Sequence, residues 1–164
     1  MTQQITIQTA WPADPKKLGD RFGIVTPLRK KLGLGPHRGI DFALPNGTPL
    51  KAAGNGRVVL NEWSDGLGHQ LEIRIAALDE KGKRVYIVVA YDHLKEAPKV
   101  KVGELVKVGQ IVAHSGNTGS YTSGPHLHFM AGKKPGLAKN PTFDPIPYIE
   151  RTLEPTTIEI EDDK

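Results

Sequence analysis

The chain has 164 residues, no cysteine, 18 glycines, 13 prolines and a net charge of +4. Its length suffices for one domain with its own core. The missing cysteines exclude disulfides, thiolate metal sites and a cysteine nucleophile, and no run of 18 apolar residues is present to span a membrane. The charge is uneven: residues 150–164 carry six acids against Arg151 and Lys164, net −4, which leaves +8 on the rest. A basic body suits an anionic polymer, but few aromatics and no recognised binding motif argue against nucleic acid. Met1 to Thr6 lack a basic n-region and an apolar h-region, so no signal peptide is expected.

The first 36 residues hold turn signals at Trp11-Pro12, Asp14-Pro15, Thr26-Pro27 and Gly35-Pro36, and a basic cluster at Arg29 to Lys31. They predict loop with one short strand or helical turn. After His37-Arg38-Gly39-Ile40-Asp41-Phe42, turns at Pro45 to Pro49 and Gly54 to Gly56 lead into a strand at Arg57 to Leu60. Gln70 to Ile75 alternates as a half-buried strand, and Asp79 to Lys83 is a polar hairpin turn. Arg84 to Tyr91 is β-branched and nearly continuous, a central strand that delivers Asp92-His93-Leu94 at its end. Val100 to Ala113 reads as two short strands broken by Gly103 and Gly109, with a rhythm loosely shared with Gly47 to Val59. A small-residue loop, Gly116 to Ser123, feeds a strand over Gly124 to Phe129. Beyond Gly132 the prolines predict loop, and residues 152–164 a flexible acidic tail. The expected architecture is all-β, with antiparallel sheets in a single domain over residues 1–151.

On a strand, His126 and His128 share one face while Leu127 and Phe129 share the other. Such a strand can lie on a core and offer two nitrogen donors, or a ligand and a base, on its far side. His37 and Asp41 would lie about 13 Å apart on a straight strand, so sharing an ion requires a bend, for which Gly39 is suited. Asp41 with two imidazoles would make an N/N/O set with a fourth position open, the pattern of a catalytic zinc site. Mg²⁺ or Ca²⁺ would call for more carboxylates.

His37-X-Gly39-X-Asp41, Tyr91-Asp92-His93-Leu94 and Gly124-Pro125-His126-Leu127-His128-Phe129 occur in an order that resembles the lysostaphin-type zinc metalloendopeptidases, which cut peptidoglycan peptides. Three ordered motifs are far more specific than any one. The likeness runs through a core of residues 22–130. It implies antiparallel sheets forming a groove, of the duplicated hybrid motif type with long loops. It also implies one Zn²⁺ per chain bound by His37, Asp41 and His128, with His93 and His126 as catalytic residues beside it. The general base is left open between those two. The implied substrate is a peptidoglycan stem peptide or cross-bridge, with no nucleic-acid partner and a monomeric state. The implied context is a phage endolysin or virion-associated lysin, held in the host cytoplasm until the membrane is permeabilised, or carried on the particle to the wall.

Met130 stands where that family usually has Glu, and Asp92 where a small residue is common. The 116–124 loop is one residue longer than usual, with Tyr121 in the extra room. Tyr91 reads as strand core, Asn117 and Thr118 as loop-holding residues, and His69 and His114 as surface or packing residues. A non-catalytic wall-binding or amidase-regulating module on the same fold is the main alternative. A lipoyl-like carrier domain lacks the lysine it would need.

Overall fold

In the computed structural model, residues 2–150 and 156–161 are described. The strands are β1 (Thr2–Ile7), β2 (Ile40–Phe42), β3 (Pro49–Lys51), β4 (Gly56–Ser64), β5 (Gly68–Leu78), β6 (Arg84–Leu94), β7 (Leu105–Val106), β8 (Ile111–His114), β9 (Leu127–Gly132), β10 (Thr142–Phe143) and β11 (Thr156–Glu161). Two short helices, α1 (Pro27–Lys31) and α2 (Ile146–Ile149), and a 3-10 turn at Pro15–Lys17 complete the elements. No helix among the described residues is long and apolar enough to cross a membrane.

The main sheet has the order β10-β9-β6-β5-β4-β7, with β2 also on β9, and every pairing is antiparallel. β3 and β8 form a separate pair. The β-rich antiparallel expectation holds, but several strands exceed their sequence bounds. β4 and β5 run on to a tight turn at Asp65 to Leu67, and β6 continues through Asp92, His93 and Leu94. The histidine strand begins at Leu127 and runs to Gly132, because Pro125 cannot join a ladder as donor; His126 makes only an isolated bridge to Gly116. The stretch after Gly132, expected as loop, contains β10 and α2. Part of the acidic end, expected as a tail, forms β11 and pairs with β1 from Thr2↔Glu161 to Ile7↔Thr156. Thr156 to Ile160 is rich in β-branched residues, a strand-forming pattern that the acids obscure. Residues 151–155 and 162–164 lie outside the described residues.

The sheet has two faces with different tasks. On one, Ile40, Phe42, Leu71, Ile73, Val89, Tyr91, Leu127 and Phe129 form the main core with Leu50, Ala52 and Ala53. Burying Leu127 and Phe129 contributes about 1.5–3 kcal/mol each. Tyr91 packs edge-on against Phe129 at 5.1 Å; its hydroxyl donates to Lys51 O (2.7 Å) and accepts from Ala53 N (3.0 Å). It is core, as its place in the β-branched run suggests. On the other face, Val88, Ala90, Met130 and Leu137 form a small second cluster, and beyond it lie the histidines. β6 reads as almost continuously apolar because it is buried on both sides.

The bend between His37 and Asp41 is present, with a different use of glycine from the one expected. The Gly39 φ is not in the left-handed region. Instead a Cβ there would lie 2.3 Å from Phe129 O and 2.9 Å from Met130 Cγ, so glycine lets this segment lie flat against β9. Gly39→Ala is therefore expected to cost about 1–3 kcal/mol through overpacking, read as a lower urea midpoint at unchanged slope.

Candidate metal centre

β9 lies between β2 and β6, and the register brings Asp41 opposite His128 on one side and Asp92 opposite it on the other. His37 is held just before β2: its N–H donates to Ile24 O (2.9 Å), and its carbonyl accepts from Gly23 N (2.8 Å). Its ring Nδ1 lies 3.1 Å from Arg21 O. That carbonyl can only accept, which assigns the proton to Nδ1 and turns the Nε2 lone pair inward.

Three donor atoms meet there. His37 Nε2 is 3.2 Å from Asp41 Oδ1 and 3.2 Å from His128 Nδ1, and His128 Nδ1 is 2.9 Å from Asp41 Oδ1. Zinc with ligands at 2.0–2.1 Å in a tetrahedron would separate them by about 3.3 Å, so the triangle needs almost no adjustment. Two imidazole nitrogens and a carboxylate oxygen also match zinc chemically. Burial raises the Asp41 pKa, but hydrogen bonds and charge from His128 and His37 outweigh it and hold the carboxyl well below the usual carboxylate range. Burial also pulls His37 down, yet Asp41 beside it leaves the ring raised. For His128, burial wins and the ring is lowered despite Asp41.

His93 and His126 stand beside this triangle. The His126 ring centroid is 4.8 Å from His93, and the His93 centroid is 6.2 Å from His128. His126 Nε2 lies 3.9 Å from Asp41 Oδ1, while its Nδ1 is 2.8 Å from Gly124 O and 3.2 Å from Thr122 Oγ1. His93 Nδ1 donates to Thr118 O at 2.7 Å. Both rings thus have Nδ1 engaged by loop carbonyls and Nε2 free for other work. On a regular strand His93 would face away from Asp92. Its φ of +59°, the left-handed value of a non-glycine among the described residues, turns it towards the site, a strained geometry of the kind found at functional positions. Burial pushes the His93 ring down to about 4, against the Thr118 hydrogen bond, so it is neutral near pH 7.

Thr118 holds its loop as expected: Oγ1 donates to Leu94 O and accepts from His69 N. Asn117 Oδ1 accepts from the Thr122 hydroxyl at 2.6 Å. His69 packs on Trp63, and His114 is an exposed residue 3.7 Å from Glu96. The groove at the triangle encloses about 370 Å³ and is lined by Tyr121, Leu67, Arg29 and Leu34 beside the site residues. Tyr121 lies directly over Gly66, where a Cβ would come within 2.3 Å of the ring. Sequence reasoning missed the carbonyls of Arg21 and Thr118 that orient the rings, since backbone atoms leave no residue-type signal. It noted Asp92 as unusual but missed that Asp92 is buried together with Gln70 and Glu72, whose trace was polar residues inside apolar strands.

The profile of Peptidase family M23 matches residues 35–141, which include His37, Asp41, His93, His126 and His128. The chain belongs to peptidase family M23. Among its M23 relatives, the glycyl-glycine endopeptidase ALE-1 of Staphylococcus capitis is 36% identical over 71% of this chain and 30% of its own length. The peptidoglycan DD-endopeptidase ShyC of Vibrio cholerae is 39% identical over 70% of this chain and 24% of its own. The chain thus spans less than a third of either. The lysostaphin catalytic domain of Staphylococcus simulans superposes with a TM-score of 0.64 at 34% identity, covering 82% of this chain and 92% of that domain.

The His93 pKa lies below that of the unfolded chain, so its contribution to stability is complete above pH 6.5 and is lost as pH falls towards about 4. In urea titrations of metal-free protein, His93→Gln should lose up to about 3 kcal/mol less than wild type between those two values.

Proposed function

We propose that this M23 chain is a zinc-dependent endopeptidase that hydrolyses peptide bonds in bacterial peptidoglycan, with His37, Asp41 and His128 as metal ligands and His93 and His126 as catalytic residues. The observation that carries the reading is the convergence of His37 Nε2, Asp41 Oδ1 and His128 Nδ1 within 3.2 Å of one another, with two further imidazoles facing the same point. When bound, zinc supplies a Lewis acid that polarises the scissile carbonyl and acidifies a coordinated water.

The chain's own groups do the rest. Asp41 and the Arg21 carbonyl keep the imidazoles of the triangle aimed inward. His93 and His126, with Nε2 free, take the proton of the attacking water, hydrogen-bond the developing oxyanion, and return a proton to the leaving amine. The neutral state of His93 suits it to accept. Tyr121 and Leu34 line the groove in which the peptide would bind.

The relatives are named for two different bonds, a glycyl-glycine bond and a D,D-bond. Digestion of walls of both chemotypes, followed by product masses, assigns the bond here. The proposal includes a monomeric enzyme working as a wall lysin, its +8 body favouring the anionic wall. Assay of phage particles and of infected-cell lysates distinguishes virion carriage from release by permeabilisation.

Purified peptidoglycan should release new amino termini in the presence of the protein. A chelator should abolish this and zinc restore it, while His128→Ala and His126→Ala should each lower the rate by at least about 100-fold. Activity unaffected by chelator, or none on any wall chemotype by zinc-loaded protein, overturns the proposal.

A further inference from the structure

Beneath the triangle lies a buried polar group that the reaction does not use. Gln70, Glu72 and Asp92 are all buried on the site face of β5 and β6. Glu72 is engaged through both oxygens and Gln70 through its amide nitrogen. Glu72 accepts from the amides of Gly136 (2.7 Å) and Leu137 (2.9 Å), one on each oxygen. Gln70 Nε2 donates to Asp92 Oδ1 at 3.1 Å. Asp92 Oδ2 is left over: among the described residues it is the buried side-chain polar atom that has no hydrogen-bond partner. A buried oxygen left without a donor is destabilising.

Its neighbour in register is His128, which therefore stands between two aspartates, Asp41 across β2 and Asp92 across β6. Directly opposed side chains on one face have Cβ atoms about 4.5–5.5 Å apart. The His128 Nδ1 edge is turned to Asp41 and His37, so the opposite edge, which carries Nε2, faces the Asp92 side. His128 Nδ1 is thus the ring nitrogen turned to the triangle. A neutral imidazole that gives Nδ1 to a metal carries its proton on Nε2.

We propose that Asp92 is the positioning residue for His128: when Nδ1 is ligated, Asp92 Oδ2 accepts the Nε2–H and fixes the ring for the metal. The Gln70 hydrogen bond holds the carboxylate in the orientation that leaves Oδ2 available. Position 130, two residues beyond His128 on the same face, is methionine packed with Val88, Ala90 and Leu137, so the acid next to His128 on this side is Asp92 on the facing strand. This inference rests on His128 being a metal ligand.

The test uses the full chain with zinc alone. Affinity is read by competition with a chromophoric chelator for wild type, Asp92→Ala, Asp92→Asn and His128→Ala. The His128 ring is read by long-range ¹H–¹⁵N NMR of the zinc-loaded protein. Asp92→Ala should weaken zinc by about 10–100-fold. Asp92→Asn, whose amide oxygen still accepts, should lose less. Wild type should show a slowly exchanging Nε2–H that is missing in Asp92→Ala. Unchanged affinity in Asp92→Ala, or an Nε2–H equally protected in wild type and that variant, overturns the inference. Should Asp92→Ala fail to fold, a zinc-loaded wild type with no protected Nε2–H overturns it equally. Undiminished zinc binding by His128→Ala would instead overturn the metal-site reading itself.

Discussion

The register of β9 is the constraint on which the site depends. Leu127 and Phe129 are fully buried against the core, so His128 must point to the other face, and a slip of one residue would put both imidazoles into the core. The two neighbours then complete the row: β2 offers Asp41 and β6 offers Asp92 at the same level. His37 reaches this level only because Gly39 lies flat on β9, where a Cβ would strike Phe129 O. Packing on one face of the strand thereby sets the spacing of the donor atoms on the other.

Electrostatics reinforces that arrangement. Asp41 lies within 4 Å of three of the four site imidazoles, those of His37, His126 and His128, and its depressed pKa is the counterpart of the raised pKa of His37. Around this centre, ring orientation is set by backbone carbonyls at Arg21, Thr118 and Gly124. Each can only accept, so each fixes a tautomer with Nε2 available. The 116–124 loop, which supplies two of these carbonyls, also contributes Tyr121 to the groove lining.

The convergence of His37, Asp41, His93, His126 and His128 was legible in the sequence because they fall in three motifs whose types and order are specific. The antiparallel β architecture was legible from the alternation at Gln70 to Ile75 and the β-branched run at Arg84 to Tyr91. Strand ends were less so: Asp92 and His93 look like a strand terminus by composition, yet β6 continues through them with a left-handed residue that no propensity predicts. The pairing of β11 with β1 joins the two ends of the described chain, and local pattern does not encode so distant a partner. Gly39 was singled out for flexibility when its function is close approach, a distinction that needs the neighbouring strand to be in place.

The central claim is that two imidazole nitrogens and one carboxylate oxygen, His128 among them, hold a single zinc ion. X-ray absorption at the zinc edge of protein loaded with one equivalent tests this most directly. The account predicts a first shell of nitrogen and oxygen at about 2.0–2.1 Å, with outer-shell scattering from two imidazoles that falls to one in His128→Ala. A shell with no imidazole scattering, or one unaltered by that substitution, would contradict it.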